Sequence, residues 1–268
     1  MLALDTGTGT QGLLYIVGPL LVAALAASYT PPVALAVTAA LGLVGTVVVA
    51  FAPPSRLWRP TSSAQTPAGV ARRLASPGLV LLFVSLTGIG FAIGAMNVRA
   101  VAIAERHGQE LLSGILPTAF STGSFLGGHL YGRRRWRSTT TDRLIGDGTF
   151  FLAGWLPLVA LPGPYAAPAA VAVPGVFLTV VVACAYVTTD SLTPAGRTSE
   201  AYAWLILSIG AGQSARTALA GRLAEQPLIT AALPAAGAAF ALVVLLAARR
   251  RPAWQPRRRG RHAGRQRR

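Results

Sequence analysis

Side chains that could do chemistry are few in this chain, and most of them lie inside long apolar stretches. Asn97 and Arg99 stand near the end of one such stretch, and Arg216 stands inside another with Gln213 three residues before it. A guanidinium offers five N–H donors and no acceptor, so its chemistry is the holding of an anion or of a hydrogen-bonding substrate. Asn97 can hydrogen-bond but cannot titrate, so it would bind without carrying a proton. Asp190 and Glu200 flank Arg197, an arrangement suited to an ion pair that latches one conformation, or to a helix start. Ser121 and Ser124, with Gly123, Gly127 and Gly128, bring small polar groups to one stretch, where they either line a cavity or let two helices approach closely. Gly18 and Pro19 read as a kink, because proline removes a backbone donor and collides with the preceding turn.

Catalysis is not among these chemistries. The chain has no Gly-x-Ser-x-Gly elbow, no His-Glu-x-x-His pattern and no phosphate loop, and its three histidines, His107, His129 and His262, are scattered. A single cysteine, Cys184, lies in an apolar run, so no intramolecular disulfide and no cysteine metal site can form, and it reads as a small buried apolar residue. No enzyme activity, no metal and no cofactor is therefore expected.

The elements that position these residues follow from composition. Of 268 residues, 53% are hydrophobic and 12% charged, and the mean hydropathy is +0.53. Water-soluble domains carry about a quarter of their residues as charge, so the greater part of this surface must face something apolar. A bilayer core about 30 Å thick takes roughly 20 apolar residues per helix, since no backbone amide can stay unpaired in hydrocarbon. Eight stretches fit, at about 12–27, 32–52, 77–98, 111–130, 144–161, 165–185, 201–221 and 228–248. Strict alternation is absent and Gly, Pro and Ala are frequent, so the expected class is an all-α integral membrane protein and not a transmembrane β-barrel.

Arginine placement orients the spans. All 24 basic residues are arginine, and counting alternate connections as cytoplasmic puts twenty of them inside, Arg133, Arg134, Arg135, Arg137 and Arg197 among them. Both termini are then cytoplasmic. The arginine-only, alanine-rich usage points to a GC-rich bacterial genome, hence to a bacterial plasma membrane. The net charge of +16 would suit nucleic acid, but ten arginines crowd into residues 249–268, after the last apolar stretch. That tail fits anionic lipid headgroups, and nucleic acid is not an expected partner. The organisation read from these patterns is two helices in 1–52, a Pro- and Ser-rich cytoplasmic linker in 53–76, a six-helix bundle in 77–248 and a basic disordered tail in 249–268.

Four local motifs carry a resemblance. Gly12-Leu13-Leu14-Tyr15-Ile16-Val17-Gly18-Pro19 is similar to the fifth helix of drug and proton antiporters of the major facilitator superfamily. Residues 91–108, ending Ala104-Glu105-Arg106-His107-Gly108, resemble the seventh helix and its outer loop. Gly127-Gly128-His129-Leu130-Tyr131-Gly132 followed by Arg133-Arg134-Arg135 resembles the short cytoplasmic loop after the eighth helix, and Thr198-Ser199-Glu200-Ala201-Tyr202-Ala203-Trp204 the start of the eleventh. The likeness covers nearly all of residues 5–250 and implies helices five to twelve of that fold, without a counterpart of the first four. It implies secondary transport, of the small-molecule efflux type, with Gly18, Pro19, Asn97, Arg99, Ser121, Ser124, Asp190, Glu200, Gln213 and Arg216 as substrate or gating residues and the Arg133 to Arg137 loop as a basic cytoplasmic element. The expected partners are the lipid bilayer, a small-molecule substrate and a missing N-terminal helical bundle in another chain. The alternative is a non-transporting membrane remnant or scaffold whose basic tail binds lipid.

Overall fold

The computed structural model describes residues 31–53, 76–133, 138–160, 163, 165–194, 197–223 and 227–250. Among them are seven α-helices and no strand: α1 Pro31–Phe51, α2 Pro77–His107, α3 Leu112–Arg133, α4 Thr140–Val159, α5 Ala167–Leu192, α6 Thr198–Leu223 and α7 Pro227–Arg249. Seven of the eight expected stretches thus fall on a helix; the first, 12–27, lies outside the described residues, as do most of the linker and the tail beyond residue 250. Among the described residues, three helical stretches are long and apolar enough to cross a membrane, Pro77–His107, Ala167–Leu192 and Ile229–Arg249, while Leu35–Phe51 is apolar but shorter. In α3, α4 and α6 the apolar run is diluted by Ser, Thr, Arg and Asp residues. The described residues form an all-helical protein of membrane character.

Helix ends follow local rules. Ser76 caps α2, its hydroxyl accepting from the Leu79 amide at 3.4 Å, with Pro77 at the first helical position, where its missing N–H costs nothing. The far end runs to His107, nine residues past the expected boundary at 98, because no breaker intervenes before Gly108. That glycine takes the left-handed conformation at φ 61°, and the next amide, Gln109, donates to the Ala104 carbonyl at 3.0 Å. Thr139 caps α4 by accepting from the Asp142 amide at 3.2 Å, which starts the helix at Thr140 rather than at 144.

The long helix α2 is the hub, packing against α6, α7 and α3, while α5 packs against α3 and α4, and α7 against α4. Glycine pairs four apart mark the two closest crossings. Gly90 and Gly94 put the backbone of α2 against Ile209 and Gln213 of α6, and Gly123 and Gly127 put α3 against Ala172 and Val176 of α5. Between these layers lies a core of Leu82, Leu86, Ile89 and Met96 from α2, Leu116 and Phe120 from α3, Phe151 and Trp155 from α4, and Val180 and Val181 from α5. Trp155 is fully buried, stacked on Phe120 and edge-on to Phe151, each at 5.7 Å between ring centres. The outer surface is apolar as well, with Phe125, Leu130, Phe150, Ile206 and Val243 exposed, which is the arrangement lipid requires. Helix α1 makes no substantial contact with the other six, and Leu35, Leu43, Val48 and Phe51 on it are exposed.

These glycine contacts give a testable contrast. A Cβ at Gly127 would collide with the Val176 carbonyl oxygen, whereas one at Gly146 on α4 meets nothing within 4 Å. Gly127→Ala is expected to cost about 1–3 kcal/mol by forcing α3 off α5. Gly146→Ala should be neutral or stabilise by up to about 1 kcal/mol through helix propensity. Denaturant unfolding of the purified protein in micelles measures both.

Candidate functional site

The end of α3, the start of α4 and the end of α7 meet at one end of the bundle. Asp142 at the start of α4 pairs with Arg249 at the end of α7 at 3.2 Å, while Thr139 Oγ1 donates to the same carboxylate at 2.7 Å. A little deeper, Arg143 Nη1 donates to the Tyr131 hydroxyl of α3 at 2.6 Å, and the guanidinium lies 5.7 Å from the centre of the Tyr131 ring. The same hydroxyl is 3.3 Å from Cys184 Sγ on α5. Asp147, one turn beyond Arg143, is half-buried, and its Oδ2 is enclosed without a hydrogen-bond partner. Tyr186 of α5 meets Tyr202 of α6 edge-on at 4.9 Å, which joins these two helices near the same end.

Two guanidinium groups lie inside the packing instead. Arg216 on α6 is 1% exposed, and its Nε and Nη1 are enclosed with no hydrogen-bond partner. Gly94 makes this position accessible to α6: a Cβ there would stand 2.8 Å from the Gln213 carbonyl oxygen and 3.3 Å from Arg216 Cβ. Arg99 on α2 is 6% exposed, with its Nε enclosed and unpartnered. Neither forms an ion pair with an acidic residue among the described residues. Both side chains can hold an anion, and neither can be neutralised by losing a proton at ordinary pH.

The other expected residues are distributed as follows. Asn97 is exposed and does not join Arg99, since two positions apart on a helix are turned by about 200°. Gln213 is half-buried, and its carbonyl accepts from Thr217 Oγ1 at 3.0 Å. Ser124 shares a hydrogen bond with Thr179 of α5, whose hydroxyl also donates to the Ser124 carbonyl at 2.7 Å, and Gly128 packs on the Thr179 methyl group. Ser121 is half-buried on the same helix. Glu200 accepts from Arg197 Nε at 2.9 Å within the first turn of α6, while Asp190 is exposed outside that pair. Arg133 is the last residue of α3; Gly18, Pro19, Arg134, Arg135 and Arg137 lie outside the described residues.

Sequence reasoning missed the cluster of Tyr131, Arg143, Asp147 and Cys184. A signal for part of it was present, because Asp147 is an acidic residue inside the stretch 144–161, and a charge within an apolar span marks a candidate by default. Its neighbours could not be found that way, since Tyr131 and Cys184 are 53 positions apart. Comparison with protein-family models, with curated proteins and with solved structures finds no match. What fold and site define together is a helical bundle of membrane character with isolated guanidinium groups inside and a polar cluster near one end.

The two polar contacts at that end should differ in strength. The Asp142 and Arg249 side chains are 47% and 57% exposed, so Arg249→Gln is expected to cost less than about 1 kcal/mol, and less still in high salt. Tyr131→Phe removes the acceptor of an enclosed charged donor and should cost about 1.5–3 kcal/mol, with little response to salt. Unfolding curves of the two variants at low and high ionic strength test this.

Proposed function

We propose that this chain works in secondary active transport, as a protein of the major facilitator type that moves a small molecule outward across a bacterial plasma membrane. In this reading the helices are spans of one transporter, corresponding to helices five to twelve, with both termini in the cytoplasm. The observation that supports it most strongly is Arg216, a side chain 1% exposed whose Nε and Nη1 find no hydrogen-bond partner among the described residues, wedged against Gly94. A charge in that setting is costly, by about 2.5–3.5 kcal/mol at a span centre on insertion scales, and is kept where a substrate or a conformational change uses it. Arg99 repeats the pattern on the neighbouring helix α2.

Transport by this route rocks one bundle against another around a site near the midplane. The six helices α2 to α7 supply one bundle. The apolar, exposed α1 is assigned to the second. The scaffold reading needs none of this: it requires only a membrane anchor and a basic tail.

Expression in a bacterial strain deficient in efflux separates the two. Tolerance to a subset of a panel of toxic small molecules is expected to rise severalfold. Arg216→Ala should abolish the gain at unchanged membrane abundance, and Arg216→Lys should not restore it, since a point charge does not reproduce a planar five-donor fork. Unaltered tolerance with full membrane abundance of the native chain would support the scaffold.

A further inference from the structure

We propose that Asp147 is a proton-binding site within the helical bundle, with Arg143 as the cation that holds its charged form; this rests on the transport reading only in making the proton the coupling ion. Asp147 lies five residues further along α4 than Asp142, which with Arg249 marks the polar end. At 1.5 Å per residue that is about 7–8 Å deeper along the helix axis. Gly148, the next residue, faces Leu242 and Leu245 of α7, so that helix presents an apolar wall at this level.

Among the described residues, the charged and titratable groups around Asp147 are Arg143 from its own helix, Tyr131 from α3 and Cys184 from α5. Of these three Arg143 is the cation, and it has a second occupation: its Nη1 donates to the Tyr131 hydroxyl at 2.6 Å and its charge sits by the Tyr131 ring. Each protonation state of Asp147 therefore has something to support it. The anion is attracted by Arg143 one turn away. The neutral acid suits the enclosed Oδ2, around which no donor is provided. When a proton from water at the polar end neutralises the carboxylate, Arg143 keeps its hydroxyl and ring contacts on α3. When the proton leaves, Arg143 again links α4 to itself as well as to α3.

A proton is also the ligand that fits the space. Oδ2 is sealed, so a molecule would need a cavity there, whereas a proton needs only an acceptor and a route. The contrast with the other acids is direct: Glu200 is tied to Arg197 and Asp142 to Arg249 and Thr139, both pairs being partly exposed. Asp190, Glu105 and Glu110 are exposed.

Dicyclohexylcarbodiimide, which modifies protonated carboxyl groups in apolar surroundings, is the probe. The purified full chain in liposomes is treated across a range of pH, digested and mapped by mass spectrometry, with Asp147→Asn as the blank. Modification is expected at Asp147 and not at Asp142 or Glu200, rising as the pH falls, and severalfold greater at neutral pH in Arg143→Gln. An Asp147 that stays unmodified at every pH where the helix content is retained would overturn the proposal, as would an Arg143→Gln protein modified no more than the native one. No substrate enters the measurement, so a failure of the transport reading in tolerance assays leaves this result to stand or fall by itself.

Discussion

In hydrocarbon an apolar side chain gains little by leaving lipid for another helix, so helices hold together through close backbone approach and the dispersion contacts it allows. Here that approach occurs where Gly90 and Gly94 lay α2 on α6 and where Gly123 and Gly127 lay α3 on α5. Reciprocal glycines deepen the contact, Gly212 of α6 against Thr87 of α2 and Gly175 of α5 against the Phe120 backbone. Side chains of ordinary size at these positions would separate the pairs, and the aromatic cluster of Phe120, Phe151 and Trp155 would lose one of its walls.

The polar features depend on this geometry. Arg216 reaches its enclosed position because Gly94 lets the turn of α6 that carries Gln213 lie directly on α2. Ser124 meets Thr179 because Gly127 and Gly128 bring α3 and α5 within hydrogen-bonding range. The cluster around Arg143 forms at the end of the same α3 and α5 crossing, where Tyr131 can touch both Arg143 and Cys184. A structural link thus runs from small residues to buried charge. Proline stands within α3, α4, α5 and α7, at Pro117, Pro157, Pro174 and Pro234, where each lacks the N–H that would close a turn of helix.

Much of the helical layout was legible in residue order because apolar runs are long and are bounded by Pro, Gly, Ser or Thr. Ser76-Pro77 and Thr139 stand where helices begin. The extension of α2 to His107 was not legible, since its last turns are polar enough to leave an apolar stretch while remaining good helix. Glycines four apart can be read as a contact face, but spacing does not say which helix will meet that face. Asn97 and Arg99 stand two positions apart in sequence, which suggests a shared site, but the helical turn puts them on different faces. Arg216 stands out in the sequence as a lone charge in an apolar run, whereas its lack of an acidic partner among the described residues is a property of the packing alone.

The orientation of the bundle in the membrane carries the most weight, because the Asp142 to Arg249 pair and the Arg143 cluster belong to one end of it. Single cysteines placed at Arg106 and at Ser199, both exposed positions near opposite ends, report it directly, and the native Cys184 is 1% exposed and gives little background. With a membrane-impermeant maleimide on intact cells, Arg106→Cys is expected to react at once and Ser199→Cys only after permeabilisation. Reaction of Ser199→Cys on intact cells with Arg106→Cys protected would contradict the orientation, and with it the alignment of these helices to a transporter.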